Sequence, residues 1–101
     1  MNKLLVSIAM CTYNGERFLK EQLDSILSQT YENIELIITD DCSTDDTVNI
    51  IKKYKKLDKR IILYENAKNL GFIKNFEKAI SLCNGEYICL ADQDDVWKLN
   101  K

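Results

Sequence analysis

Four short apolar runs, each closing on polar residues and separated by stretches with helical spacing, constrain this chain more than any other feature. Leu4-Leu5-Val6-Ser7-Ile8-Ala9-Met10 is almost wholly apolar, the pattern of a strand buried on both faces. Asn14-Gly15 breaks it. From Glu16 to residue 29 the apolar side chains Phe18, Leu19, Leu23, Ile26 and Leu27 fall on one face of a helix. Residues 34–39 predict a second strand, which ends in the run Asp40-Asp41-Cys42-Ser43-Thr44-Asp45-Asp46. Ser43 or Thr44 is placed to cap a helix through Val48, Ile50, Ile51 and Tyr54. Residues 60–64 predict a third strand. Asn69-Leu70-Gly71 is a turn, and Phe72, Ile73, Phe76, Ala79, Ile80 and Cys83 mark a third helical face that Gly85 closes. Residues 86–91 predict a fourth strand.

Strand-helix repeated three times and finished by a strand predicts an α/β fold, a Rossmann-like parallel sheet with helices on both faces and right-handed crossovers. Such sheets bind ligands beyond the carboxyl ends of their strands, where strand order reverses. The polar clusters fall at those ends: Cys11-Thr12-Tyr13-Asn14 after the first strand, Asp40-Asp41 after the second and Asp92-Gln93-Asp94-Asp95 after the fourth. A dinucleotide fingerprint, G-x-G-x-x-G, is absent after the first strand, and no P-loop motif occurs.

At 101 residues the chain is one domain. Lys and Arg number 14 against 16 Asp and Glu with both signs interspersed, a net charge of −2 that predicts no polycation for nucleic acid or anionic lipid. There is no histidine, which excludes Ser-His-Asp and Cys-His nucleophilic machinery built from these residues. The four cysteines form no C-x-x-C pair for a zinc site, and three of them sit in or beside apolar runs, where a reduced cysteine is a small hydrophobe. No apolar run approaches the ~20 residues of a membrane span, and the opening Met1-Asn2-Lys3 leads into a strand rather than a signal peptide. A cytoplasmic setting follows by default, with a peripheral place at the inner face of the membrane for a full-length protein.

The acidic clusters carry the chemistry. Three carboxylates within Asp92-Gln93-Asp94-Asp95 suit a hard divalent cation bridging to a diphosphate. The same residues also suit a solvated turn or a helix cap before Val96-Trp97. Asp40-Asp41 is either a turn and capping cluster or an acceptor for a base imide or sugar hydroxyl.

In order along the chain, Val6-Ser7-Ile8, Thr12-Tyr13-Asn14-Gly15-Glu16, Leu27-Ser28-Gln29-Thr30-Tyr31 and Ile34-Glu35-Leu36-Ile37-Ile38-Thr39-Asp40-Asp41-Cys42-Ser43-Thr44-Asp45 resemble family 2 glycosyltransferases of the GT-A fold. Asn69-Leu70-Gly71, Gly85-Glu86-Tyr87-Ile88 and Asp92-Gln93-Asp94-Asp95-Val96-Trp97 extend the resemblance over essentially the whole chain. It implies an inverting, metal-dependent transfer of a sugar from a UDP- or dTDP-sugar to a glycan or lipid-linked acceptor, in cell-surface polysaccharide synthesis. It further implies that Cys11 and Tyr13 line a base pocket, that Asp41 accepts from the base, and that Glu16 shapes the first loop. Lys74 would face the diphosphate, Asp92 would lie near the ribose and the metal, and Asp94 would reach the Mn²⁺ or Mg²⁺. Asp95 would cap the following segment.

Members of that family are normally longer, and their second half carries the acceptor site and the general base. The expectation is therefore a donor-binding part, residues 1–101, with no catalytic base of its own and an exposed apolar surface that promotes self-association. The alternatives are a non-catalytic nucleotide-binding module and a receiver-like, Mg²⁺-binding signalling domain. A receiver would end its first strand in an acidic pair, where this chain has Cys11-Thr12-Tyr13-Asn14.

Overall fold

The computed structural model describes residues 4–91. Its elements follow in the order β1 (Val6–Thr12), α1 (Glu16–Leu27), β2 (Ile34–Asp40), α2 (Thr47–Leu57), β3 (Ile61–Glu65), α3 (Phe72–Ser81) and β4 (Tyr87–Ala91). The four strands form one parallel sheet in the order β3-β2-β1-β4. The chain steps outward from β1 to β3, and α3 then carries it back over the sheet to β4. Strand order thus reverses between β1 and β4.

The register fixes what each face buries. Val6 pairs with Ile34 and Thr12 with Asp40, so the two central strands end level with each other. Alternate residues Ile8 and Met10 of β1, with Ile34, Leu36 and Ile38 of β2, pack against Leu19, Leu23 and Ile26 of α1 and Ile51 of α2. The opposite face offers Ala9 and Cys11 to Ala79 of α3, with Phe76 and Cys83 alongside. Small side chains on both sides of that contact let α3 lie close to the sheet. Each fully buried Leu or Ile in the larger cluster contributes about 1.5–3 kcal/mol.

Three expectations need correction. α2 is not capped by Ser43 or Thr44: the Ser43 hydroxyl donates to Asp40 Oδ1 and accepts from Asn14 N–H, while Thr44 N–H and hydroxyl both turn to Asn14 Oδ1. The first-turn N–H of Thr47 is satisfied instead by Asp45 Oδ1 at 3.0 Å. β4 is apolar but not buried, since Tyr87, Ile88 and Leu90 are all exposed and only Ala91 is covered. The cysteines do not behave alike either: Cys11 is buried, Cys42 and Cys83 are half-buried, and Cys89 on β4 is exposed.

Candidate functional site

The loops after β1 and β2 are zipped together at the carboxyl end of the sheet. Thr12 Oγ1 donates to Asp40 Oδ1 at 2.6 Å across the strand ends. Ser43 N–H and hydroxyl close the turn on the same carboxylate, at 2.9 and 2.6 Å. Asn14 adopts a positive φ of 50°, which its short polar side chain tolerates, and its Oδ1 accepts from Thr44 N–H at 2.7 Å. Gly15 N–H donates to Thr47 Oγ1 at 3.0 Å, and Glu16 N–H to Asp45 Oδ2 at 3.3 Å. Glu16 thus joins the loop through its backbone.

A second network holds the segment between β3 and α3 to the end of β2. Asp41, only 4% exposed, accepts at Oδ1 from Leu70 N–H at 2.7 Å and Asn66 Nδ2 at 3.0 Å, and at Oδ2 from Gly71 N–H at 2.9 Å. Asn66 also donates to Asn75 Oδ1 and accepts from Lys78 Nζ at 2.7 Å, and Asn75 Nδ2 donates to the Thr39 carbonyl. Gly71 opens α3 at φ 86°, where a Cβ would meet nothing within 4 Å, so backbone conformation rather than space selects glycine there.

These contacts set the charges. Burial alone would raise the pKa of Asp41, but hydrogen bonds from Leu70, Asn66 and Gly71, with the Lys78 charge, hold it below the usual carboxylate range. Asp45 is held low in the same way, its burial outweighed by the Thr47 hydroxyl and N–H and by Glu16 N–H. At the other end of the sheet, burial of Glu35 is outweighed by bonds from Ser7, Asn84 and Gly85, and its pKa is also lowered. A carboxylate depressed on folding stabilises the native state above its ordinary pKa, and that stability is lost as pH falls through the depressed value. With no histidine to titrate, the melting temperature should be nearly level from pH 8 to about 5 and fall steeply below about pH 4. A melting temperature unchanged down to about pH 3 would contradict these couplings.

The structure places the expected site residues unequally. Asp41 lies in the second network, where three donors occupy three of the ~four acceptor positions of its carboxylate and leave one on Oδ2. Tyr13 stands half exposed just past β1. Cys11 is nearly sealed under α3, its sulfur 3.6 Å from Thr39 Oγ1. Lys74 is exposed on α3, and the cation that reaches the cluster is Lys78. Asp92 and Asp94, the expected metal ligands, lie outside the described residues, as does Asp95. Asn66, Asn75 and Lys78 carry no signal in the sequence, because their partners stand 9 to 36 residues away in the chain. A depression at the amino end of the sheet, lined by Leu27, Ser28, Gln29, Glu32 and Arg60, is remote from all of this.

A parallel sheet with its polar loops gathered at the carboxyl ends, beside the reversal in strand order, defines an α/β domain of the nucleotide-binding kind. The family profile of glycosyl transferase family 2 matches residues 7–101, and the chain belongs to that family. That membership replaces the receiver-like alternative. It is 44% identical over 97 residues to the Escherichia coli UDP-Glc:alpha-D-GlcNAc-diphosphoundecaprenol beta-1,3-glucosyltransferase WfaP, covering 96% of this chain and 38% of WfaP. Among solved structures it resembles Staphylococcus aureus TarS 1-349 in complex with UDP, at TM-score 0.81 and 30% identity over 88% of this chain and 27% of TarS. It also resembles the mannosyltransferase PcManGT from Pyrobaculum calidifontis in complex with GDP-Man and Mn²⁺, at TM-score 0.84 and 26% identity over 91% of this chain and 28% of that one. These are GT-A enzymes, and the sheet order and helices described above share that architecture. The chain spans between 29% and 39% of the length of the first curated relatives it matches.

Proposed function

We propose that residues 1–101 are the nucleotide-sugar-binding N-terminal part of an inverting, metal-dependent glycosyltransferase. The donor is a UDP- or dTDP-sugar and the acceptor a glycan or lipid-linked saccharide of a cell-surface polysaccharide. The observation that carries this reading is the convergence of the loops after β1 and β2 with the 66–71 segment at one end of the sheet, around Asp41. The spare acceptor position of Asp41 suits a base imide N–H, with the exposed Tyr13 ring near the same strand end. WfaP with its UDP-Glc donor, a dTDP-rhamnosyl transferase of Shigella flexneri at 42% identity, and TarS with UDP support a pyrimidine nucleotide. The reading includes a cytoplasmic setting at the inner face of the membrane; among the described residues no helix is long and apolar enough to cross one. Exposed Tyr87, Ile88 and Leu90 on β4 support self-association of the isolated chain.

Among the described residues no group of three His, Cys, Asp or Glu is arranged to hold a metal ion. The carboxylates of Asp40, Asp41 and Asp45 are already engaged by protein donors. The cation, Mn²⁺ or Mg²⁺, is therefore assigned to Asp92 and Asp94, whose oxygen-only donor set fits either ion. When bound, it supplies charge neutralisation for the departing nucleoside diphosphate. PcManGT, with GDP-Man and Mn²⁺, supports such a use of metal. Asp94→Asn should weaken metal-dependent UDP binding by at least about tenfold in calorimetric titration and leave the melting temperature nearly unchanged. Equal metal-dependent affinity in the two proteins would remove Asp94 from the site.

The chain on its own should transfer no sugar at an enzymatic rate, because the reading assigns it no general base and no acceptor wall. Positioning alone is worth about 7–11 kcal/mol of barrier. Incubation with UDP-sugars, Mn²⁺ and sugar or lipid acceptors should yield at most slow hydrolysis of the donor. Multiple-turnover glycoside formation would overturn this division of labour.

A further inference from the structure

Residues 52–60 hold six of the chain's 14 Lys and Arg and a single carboxylate, Asp58. The net charge of −2 hides this concentration. Lys52, Lys53, Lys55 and Lys56 are all exposed on α2, and Lys59 extends the cluster into the turn before β3. Asp46, Asn49, Lys52, Lys53 and Lys56 border one shallow depression along the outer side of the helix. The nearby carboxylates are engaged: Asp58 by Arg60 at 2.8 Å, Asp24 by the Tyr54 phenol at 2.7 Å, Glu65 by Lys52 at 3.5 Å, and Asp46, at the start of the helix, by the Asn49 amide at 2.9 Å. Among the described residues Lys53, Lys55, Lys56 and Lys59 make no ion pair. Leu57 sits within this cluster at 89% exposure, the highest of the large apolar side chains described.

We propose that this face of α2 binds the surface of an anionic lipid bilayer. The lysines attract headgroup phosphates, each strengthening attachment by about fivefold near a charged membrane, and Leu57 enters the boundary between headgroups and acyl chains. A nucleic-acid surface fits less well, because the aromatic in the cluster, Tyr54, is half-buried and bonded to Asp24 rather than free to stack on bases. α2 begins beside the loops at the carboxyl end of the sheet and its 11 residues run about 16 Å. Lying flat on a membrane, it keeps that end of the sheet alongside the surface. The proposal stands on the lysines and Leu57 and does not depend on the donor reading.

Co-sedimentation of the chain with phosphatidylglycerol-rich vesicles and with pure phosphatidylcholine vesicles tests it. Binding should require phosphatidylglycerol and should fade as salt shortens the Debye length from ~10 Å toward ~3 Å. The triple variant Lys52→Gln, Lys53→Gln, Lys56→Gln should lose about a hundredfold in partitioning, and Leu57→Gln should lose several-fold at constant charge. All these positions are exposed, so circular dichroism melts and UDP titrations should match the parent, which separates failure of this proposal from failure of the donor site. Equal sedimentation with both vesicle types would overturn it. So would unchanged vesicle binding by Leu57→Gln together with equally tight binding to RNA, which would mark a general polyanion face.

Discussion

Asp41→Ala should destabilise the chain by about 3 kcal/mol and abolish UDP binding at temperatures where the variant is still folded. The carboxylate is 4% exposed and satisfies Leu70 N–H, Gly71 N–H and Asn66 Nδ2. Its removal orphans Leu70 N–H and one hydrogen of the Asn66 amide, each worth about 1–3 kcal/mol, while Gly71 N–H keeps Asn69 Oδ1 at 3.1 Å and part of the cost relaxes as water enters. It also removes the carboxylate that faces the Lys78 charge. The two roles of Asp41 are separable by ligand. If its remaining acceptor position meets the base, binding of pyrophosphate with metal survives in the folded variant while UDP binding is lost. Equal loss of both ligands would reduce Asp41 to a clamp on the 66–71 turn. A stability change below about 0.5 kcal/mol would contradict the hydrogen-bond network itself.

Gly85→Ala should cost about 2–3 kcal/mol in urea unfolding, for a reason unconnected with the candidate site. A Cβ on Gly85 would stand 2.6 Å from the Leu5 carbonyl oxygen and 2.7 Å from Ser7 N and Oγ. Two of those three atoms are backbone of the strand entry and cannot swing aside. The neighbourhood is also a closed polar circuit: Gly85 N–H donates to Ser7 Oγ, Ser7 Oγ to Glu35 Oε2 at 2.5 Å, and Asn84 N–H to the same Glu35 oxygen at 2.6 Å. Moving the loop away to admit a methyl group breaks this circuit around a buried carboxylate. Because Gly85 lies at the amino end of the sheet, UDP affinity of the folded variant should be nearly unchanged. Wild-type stability in Gly85→Ala would show that the loop yields freely.

Apolar runs made the four strands and three helices legible, because a parallel sheet buried by helices needs continuous Val, Ile and Leu. The first strand ends within the cluster Cys11-Thr12-Tyr13-Asn14, at Thr12, paired with Asp40 of the neighbouring strand. Burial was less legible. The apolar composition of β4 suggested burial, whereas exposure depends on what lies beyond the strand, which local pattern does not encode. At the site, Asp41 stood out by its place at a strand end. Asn66, Asn75 and Lys78 did not, since a single Asn or Lys in a loop or on a helix carries no periodic signal. Lys74 drew attention in their place, one residue before the buried Asn75 that joins α3 to β2.

The central claim, that the carboxyl end of this sheet receives a nucleoside diphosphate, is tested most directly by titrating UDP with Mg²⁺ into the ¹⁵N-labelled chain and following backbone amide shifts. Saturable shifts should gather in residues 11–14, 40–45 and 66–71, fit one affinity, and weaken when Mg²⁺ is withdrawn. Shifts confined to the amino end, around Gln29, Arg60 and Gly85, or no saturation at millimolar UDP, would contradict it.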